Sequence, residues 1–312
     1  MIFKKNISIV YLQGGIGNLL FQISAALKFS KNDFNNIYVV DGMFELGRSK
    51  KIKQYLNLDL RELSLLQKIL FGIDIQVKNY FIRSFIKILK KLNIHFGTHF
   101  HGGFFDNFSS ETNLNLNKKY ILTGYYQHPD FYKDSKNKVI EMFIKKNGIS
   151  LSSKKDQIVF HLRRTDYISL KWDLPISYYI NAIKLISKND KFKFKKIRII
   201  ADDPFAIFSI KFYAEKYGLD VLESYKVRSD LEDFIEIASS SVIVMSNSTF
   251  CWWAASIGDF VLKDIDVFYP KGWIRGFNDC LKEPHWKAIE FEEEKKYDKT
   301  LFSKKVPGLY TE

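Results

Sequence analysis

The sequence predicts an α/β protein with parallel sheets, divided into two domains. In the second half, short apolar runs alternate with segments of helical spacing, the pattern of strand–helix–strand units in a parallel sheet. Near the amino terminus an apolar run ends in Gly14-Gly15-Ile16-Gly17-Asn18 and passes straight into an apolar helical stretch. The chain of 312 residues also exceeds the size at which one core stays comfortable. The boundary falls at the polar stretch Ser152-Ser153-Lys154-Lys155, giving domains 1–153 and 154–312.

Residues 6–12 read as the first strand. The glycine turn and helix start that follow, with Gly15, Gly17 and Asn18, form an anion-friendly element, because backbone N–H groups there point at whatever docks. The turn serves equally to pack helix on sheet. Leu20 stands where a dinucleotide fingerprint needs its third glycine, so that fingerprint is incomplete. Residues 37–40 read as a second strand. Stretch 75–94 lacks acidic residues and carries Lys78, Arg83, Lys87, Lys90 and Lys91 opposite an apolar stripe. Such a helix buries its stripe in its own protein or lies on an anionic membrane. His95, His99 and His101 suggest a metal site, but no nearby cysteine completes one, and a packed sheet corner is the better reading. Residues 120–123 read as a strand ending in Gly124-Tyr125-Tyr126-Gln127-His128. Tyr126, Gln127 and His128 combine an apolar face with amide and imidazole groups, which suits a sugar and suits loop packing as well. They are taken, with Gln22, as the acceptor side.

Residues 133–151 read as helix. Strand 158–162 runs into His161-Leu162-Arg163-Arg164-Thr165-Asp166-Tyr167, where a loop is expected. Ligands of α/β sheets bind at the carboxyl ends of strands, and paired guanidinium forks suit phosphate oxygens. Helix 177–186, strand 197–201, helix 205–217 and a short strand at 220–222 follow. Asp202 and Asp203 close strand 197–201, where a carboxylate can accept from a guanine or cap the next helix, which Pro204 would open. Ser229 and Glu232 form a capping box for a helix to residue 239. Strand 242–245 leads to Ser246, Asn247, Ser248 and Thr249, placed to hold phosphate or to cap the helix at 250–257. Asp264 and Asp266 suggest a metal-bound diphosphate, a spacing common by chance.

Composition narrows the class. Hydrophobic residues make up 46% and aromatic residues 16%, enough for well-formed cores. Cys251 and Cys280 build no disulfide framework and suit a reducing compartment. The first apolar run is too short for a signal core, and no stretch reaches the ~20 apolar residues of a membrane span. The expectation is a cytoplasmic protein, with peripheral contact at the inner face of a bacterial inner membrane left open. The net charge of +13, from 48 Lys+Arg against 35 Asp+Glu, attracts polyanions. No nucleic-acid module is visible, and no nucleic-acid partner is expected.

Three pieces together carry a resemblance: Gly-Gly-Ile-Gly-Asn-Leu-Leu-Phe-Gln (14–22), His-Leu-Arg-Arg-Thr-Asp-Tyr (161–167) and Ser-Asn-Ser-Thr-Phe-Cys-Trp-Trp-Ala-Ala (246–255). They resemble the α-1,2-fucosyltransferases of glycosyltransferase family 11. Gly-Tyr-Tyr-Gln (124–127), Leu-Pro-Ile-Ser-Tyr-Tyr (174–179) and Ala-Asp-Asp-Pro (201–204) fit in order. The resemblance implies a GT-B fold, two Rossmann-like domains facing a cleft, with GDP-fucose on the carboxyl-terminal one. It implies inverting transfer of fucose to the 2-hydroxyl of a terminal galactose or GalNAc on a bacterial surface glycan such as O-antigen. GDP-fucose is then a substrate, and neither a cofactor nor a metal is expected. Carried onto this chain, Arg163 would bind the β-phosphate and His161 would lie by the nucleoside. Arg164 joins them, one of Asp202 and Asp203 would read guanine, and Ser246, Asn247, Ser248 and Thr249 would complete the phosphate site. Gly15, Gly17 and Asn18 are grouped with the donor. Asp166, the carboxylate inside the arginine motif, is the candidate base, with Asp173 as another. Thr165, Cys251, Leu19 and Leu20 depart from the commonest family pattern and bear on acceptor choice. The residues alone also allow a basic polyanion binder without enzymatic activity, or a fucosyltransferase of another linkage.

Overall fold

A computed structural model describes residues 6–41, 61–71, 84, 87–88, 97–102, 119–192, 195–222, 228–273 and 281–292. The chain forms two compact units that divide between Ser150 and Leu151.

In the first unit, β1 (Ser8–Leu12) leads through the glycine turn into helix α1 (Ile16–Phe29). Strands β2 (Ile37–Asp41), β3 (Arg61–Glu62), β4 (Thr98–Gly102) and β5 (Tyr120–Gly124) complete a five-stranded sheet in the order β3-β2-β1-β5-β4. Every pairing in it is parallel. Helix α2 (Leu65–Leu70) precedes β4, and α3 (Pro129–Tyr132) and α4 (Lys136–Asn147) close the unit. Helix α1 is buried almost all round, and the Ser135 hydroxyl ties α4 to it by donating to the Ser24 carbonyl at 2.9 Å. His99 and His101 stand exposed on β4. His95 and nearly all of stretch 75–94 lie outside the described residues. Among the described residues, no helix is long and apolar enough to cross a membrane.

The second unit intersperses strands with one or two helices up to β9: β6 (Lys154–Leu162), α5 (Thr165–Leu170), α6 (Ile176–Ser187), β7 (Lys196–Ala201), α7 (Pro204–Lys216), α8 (Asp230–Ser239), β8 (Ser240–Val244), α9 (Thr249–Leu262), β9 (Asp266–Pro270) and β10 (Lys287–Ile289). The sheet runs β10-β9-β8-β6-β7, all parallel. Val221 pairs with Ile197 outside β7, so the expected strand at 220–222 shrinks to one parallel bridge. Counted in chain order from β6, with the Val221 bridge taken as the third strand, the spatial order is 3-2-1-4-5-6, the doubly wound Rossmann order. The chain therefore has two Rossmann-like α/β units, the class expected for a GT-B protein.

Three local expectations change. Residues 152–155 read as a polar linker, yet Lys154 and Lys155 open β6. The Lys154 ammonium is bound by the Glu236 carboxylate at 2.6 Å, and a register shift between Lys154 and Ile158 accommodates the charged stretch. Residues 165–170 read as loop but form α5, whose N-terminus Asp202 caps. Helix α9 runs five residues past the expected end at 257, to Leu262.

Candidate functional site

The switch point of the second sheet lies between β6 and β8, where the strand order reverses. Side chains alternate along a strand. Ile158, Phe160 and Leu162 enter the core shared with α6 and α7, and His161 faces the other side. There its ring stacks on Phe250 of α9, centroids 5.7 Å apart, and Nδ1 lies 2.7 Å from the Ser246 hydroxyl. Burial holds the His161 imidazole down at about 4, so it is neutral at physiological pH. Two tyrosines of α6 fix the ends of these strands. The Tyr178 hydroxyl donates to the Met245 carbonyl at 2.6 Å, and the Tyr179 hydroxyl to the His161 carbonyl at 3.4 Å. Sequence reasoning gave these hydroxyls no role. The adjacent pair of tyrosines on a helix following an arginine loop was the available signal.

Helix α9 opens at this switch point. Its N-cap, Ser248, is buried and makes no side-chain capping bond. The first N–H groups of a helix have no intrahelical partner, and the helix dipole favours an anion there. Asn247 is buried and donates through Nδ2 to the Trp172 carbonyl at 2.6 Å; its Oδ1 has no hydrogen-bond partner. Thr249 is the first helical residue.

The arginine loop is a network of charge. Arg163 meets Asp166 side-on, Nε to Oδ1 at 2.9 Å and Nη2 to Oδ2 at 3.0 Å. Its Nη1 lies 3.1 Å from Asp202. Burial pulls the Arg163 guanidinium down, but Asp166 and Asp202 outweigh burial and raise it above its ordinary value. Arg164 is buried, with Nε donating to Asp203 at 2.9 Å and Nη1 3.4 Å from Asp173. Arg164 is thus a structural tie, not an open phosphate fork. Asp202 accepts from the Arg164 N–H at 2.8 Å and the Thr165 hydroxyl at 2.7 Å, capping α5. Asp203 caps α7 by accepting from the Phe205 N–H at 3.0 Å. Every carboxylate oxygen of this pair is engaged inside the chain, so a guanine would share them with these partners. Asp266 sits instead at the start of β9, away from the strand ends that carry the site, and is bound by Lys191 and Lys287.

The switch point of the first sheet lies between β1 and β5. Gln22 joins its two loops. Nε2 donates to the Gly124 carbonyl at 2.9 Å and the Gln13 carbonyl at 3.2 Å, while Oε1 accepts from the Gln13 N–H at 3.1 Å. Gln22, assigned to the acceptor side, is buried with both amide hydrogens spent on these carbonyls and staples the two loops. Gln127 donates to the Asn18 Oδ1 at 3.0 Å. Tyr126 is buried, donates to the Phe100 carbonyl at 2.9 Å and packs edge-on against Phe131, and burial drives its phenol well above the usual range. His128 caps α3, accepting from the Asp130 N–H at 3.3 Å. Two glycines make the close approach possible. Gly14 has φ +86° and a Cβ there would strike the Asn18 side chain, while Gly124 has φ +112° and a Cβ would strike the Gly102 carbonyl. Gly15 is exposed and faces open space, and Gly17 is buried within α1. Asn18, grouped with the donor in the sequence, and Gln127, grouped with the acceptor, are thus bonded to each other in this unit.

The chain thus has two Rossmann-like units, one with a buried histidine and a helix N-terminus at the switch point, where ligands of such sheets bind. Glycosyl transferase family 11 matches residues 10–262; the chain belongs to this family and is a glycosyltransferase. It is similar to the Escherichia coli O-antigen biosynthesis glycosyltransferase WbnK, 23% identical over 301 residues, covering 86% of this chain and 95% of that one. Among solved structures, E. coli heptosyltransferase WaaC with ADP gives a TM-score of 0.39 at 13% identity, covering 91% of this chain and 90% of its own. A mutant of Arabidopsis thaliana FUT1 in complex with GDP gives 0.45 at 11% identity, covering 87% and 72%. POFUT1 in complex with GDP-fucose gives 0.41 at 11%, covering 92% and 98%.

Proposed function

We propose that the chain is an inverting, metal-independent α-1,2-fucosyltransferase that moves L-fucose from GDP-β-L-fucose to the 2-hydroxyl of a terminal galactose or GalNAc. The acceptor would be a bacterial surface glycan such as O-antigen, in line with the likeness to WbnK. The observation that carries the donor half of this reading is the bridge between His161 and Ser246 across the β6–β8 switch point, beside the opening of α9. A diphosphate lying there would meet the N-terminal end of α9, where the helix dipole favours an anion, and the Ser248 hydroxyl, with Arg163 one loop away.

In the proposed reaction the acceptor oxygen attacks the fucose anomeric carbon as the bond to GDP breaks on the opposite face. Arg163 and the α9 N-terminus take up the negative charge of the leaving GDP, which is why no metal is invoked. Each well-placed donor of this kind is worth about 3–4 kcal/mol. The Arg163 fork is held by Asp166. The donor would exchange with that carboxylate, freeing Asp166 to accept the acceptor proton.

GDP release from GDP-fucose in EDTA, with galactose β-1,3 and β-1,4 disaccharides, tests the reading. Acceptor-dependent release should persist in EDTA and fall by about 10²–10³ in Arg163→Ala. Release without acceptor preference, or release abolished by EDTA, would sink the specific claim. A polyanion binder would instead show no release and no preference for GDP over ADP in thermal shift.

A further inference from the structure

Helices α6 and α7 lie side by side on one face of the second sheet, sharing a core through Ala182, Ile183, Ile186, Ala206, Ile210 and Ala214. Their outer side is not polar. Phe205, Phe208 and Phe212 recur at i, i+3 and i+7 on α7, so they line one stripe, and they are 52%, 55% and 41% exposed. Leu185 of α6 is 42% exposed. Single exposed apolar residues are ordinary, but a row of three phenylalanines on one helix face is a contact surface without a partner among the described residues. The charges on the same two helices and their caps are Lys184, Lys188, Lys211 and Lys216 against Glu215, which pairs with Lys211, and the N-cap Asp203, which Arg164 binds.

We propose that the outer face of α6 and α7 docks on an anionic lipid surface. The pairing of apolar row and lysines selects this occupant. Phenylalanine rings enter the boundary between headgroups and acyl chains, while lysines at the same level meet anionic headgroups. A second copy of the chain is disfavoured by the same charges. A two-fold contact would set the four lysines of one copy against the four of the other, on molecules that each carry +13. Asp203 caps α7 two residues before the stripe begins, so docking would hold the Asp202–Asp203 edge at the lipid boundary.

Co-sedimentation of the full-length protein with phosphatidylcholine vesicles, with and without phosphatidylglycerol, tests the proposal. Binding should require phosphatidylglycerol and weaken with salt. The double variant Phe208→Ser/Phe212→Ser should lower the partition coefficient by roughly tenfold or more, while its Tm and its thermal shift with GDP stay at wild-type values. Lys184→Glu/Lys188→Glu should weaken binding on its own. Equal binding of wild type and the phenylalanine variant would overturn the proposal in favour of another surface. A wild-type dimer that the variant dissociates would assign the face to self-association. A drop in Tm without vesicles would mean that the rings pack within the protein.

Discussion

At the residue scale, His161 ties the chemistry of the site to its stability. An unfolded imidazole titrates near 6.5, and burial holds the folded one at about 4. Between these values the unfolded chain binds the extra proton. The stability from a neutral His161 is therefore complete above about pH 6.5, falls as pH drops toward 4 and changes little below it. At ~1.4 kcal/mol per unit the loss across this window is about 3 kcal/mol. Denaturant titrations at several pH values should show this slope in the wild type and a flatter profile in His161→Gln. Tyr178→Phe removes the hydroxyl that satisfies the Met245 carbonyl. It should cost about 1–3 kcal/mol, because a buried acceptor loses its donor, and should raise KM for the donor by loosening the end of β8. The sequence marked His161 and Ser246 as site residues, since both end strands in the motif-bearing half. It could not give their 2.7 Å contact, because strand pairing across 85 residues sets it.

At the element scale, α8 is anchored to the sheet through one carboxylate. Glu236 accepts from Lys154 at 2.6 Å, Arg228 at 2.8 Å and Gln157 at 2.9 Å. Burial alone would raise its carboxyl, but these donors outweigh burial and hold it at about 2. The stabilisation is present above the unfolded value of 4.5 and is lost as pH falls through 2. That acid loss begins where the His161 slope ends, so the two are separable in one titration. Glu236→Gln should destabilise by about 3–5 kcal/mol, since it strands partly buried cations, and should remove the second slope. Helix α8 itself was legible from Ser229 and Glu232, whose capping box forms as the local pattern requires. The start of β6 was not legible. Two lysines and an aspartate signal a linker unless a carboxylate from a distant helix is there to receive them.

At the scale of the whole molecule, each unit carries its own sheet and its own apolar core. Calorimetry should therefore resolve two unfolding transitions. If the donor site belongs to the second unit, GDP should move one transition and leave the other in place. At one hundred times its Kd it would add about 2.7 kcal/mol to that unit. Both transitions moving together would contradict a donor site confined to the second unit.

The sequence by itself determined the α/β class, the order of the main elements in the second half and the residues that gather at strand ends. These follow from periodicity, capping and turn chemistry, which act over a few residues. Tertiary structure alone decided what those residues do. Gln22 and Tyr126 have the chemistry to meet a sugar, but packing turns them inward, one as a staple between loops and the other as a core aromatic. Arg163 and Arg164 are adjacent in the chain, yet burial separates them into a half-exposed fork and a buried tie between two aspartates. The physical reason is the same in both cases. A polar side chain bonds to whatever the fold brings within about 3 Å, and the fold assembles those partners from segments far apart in the chain.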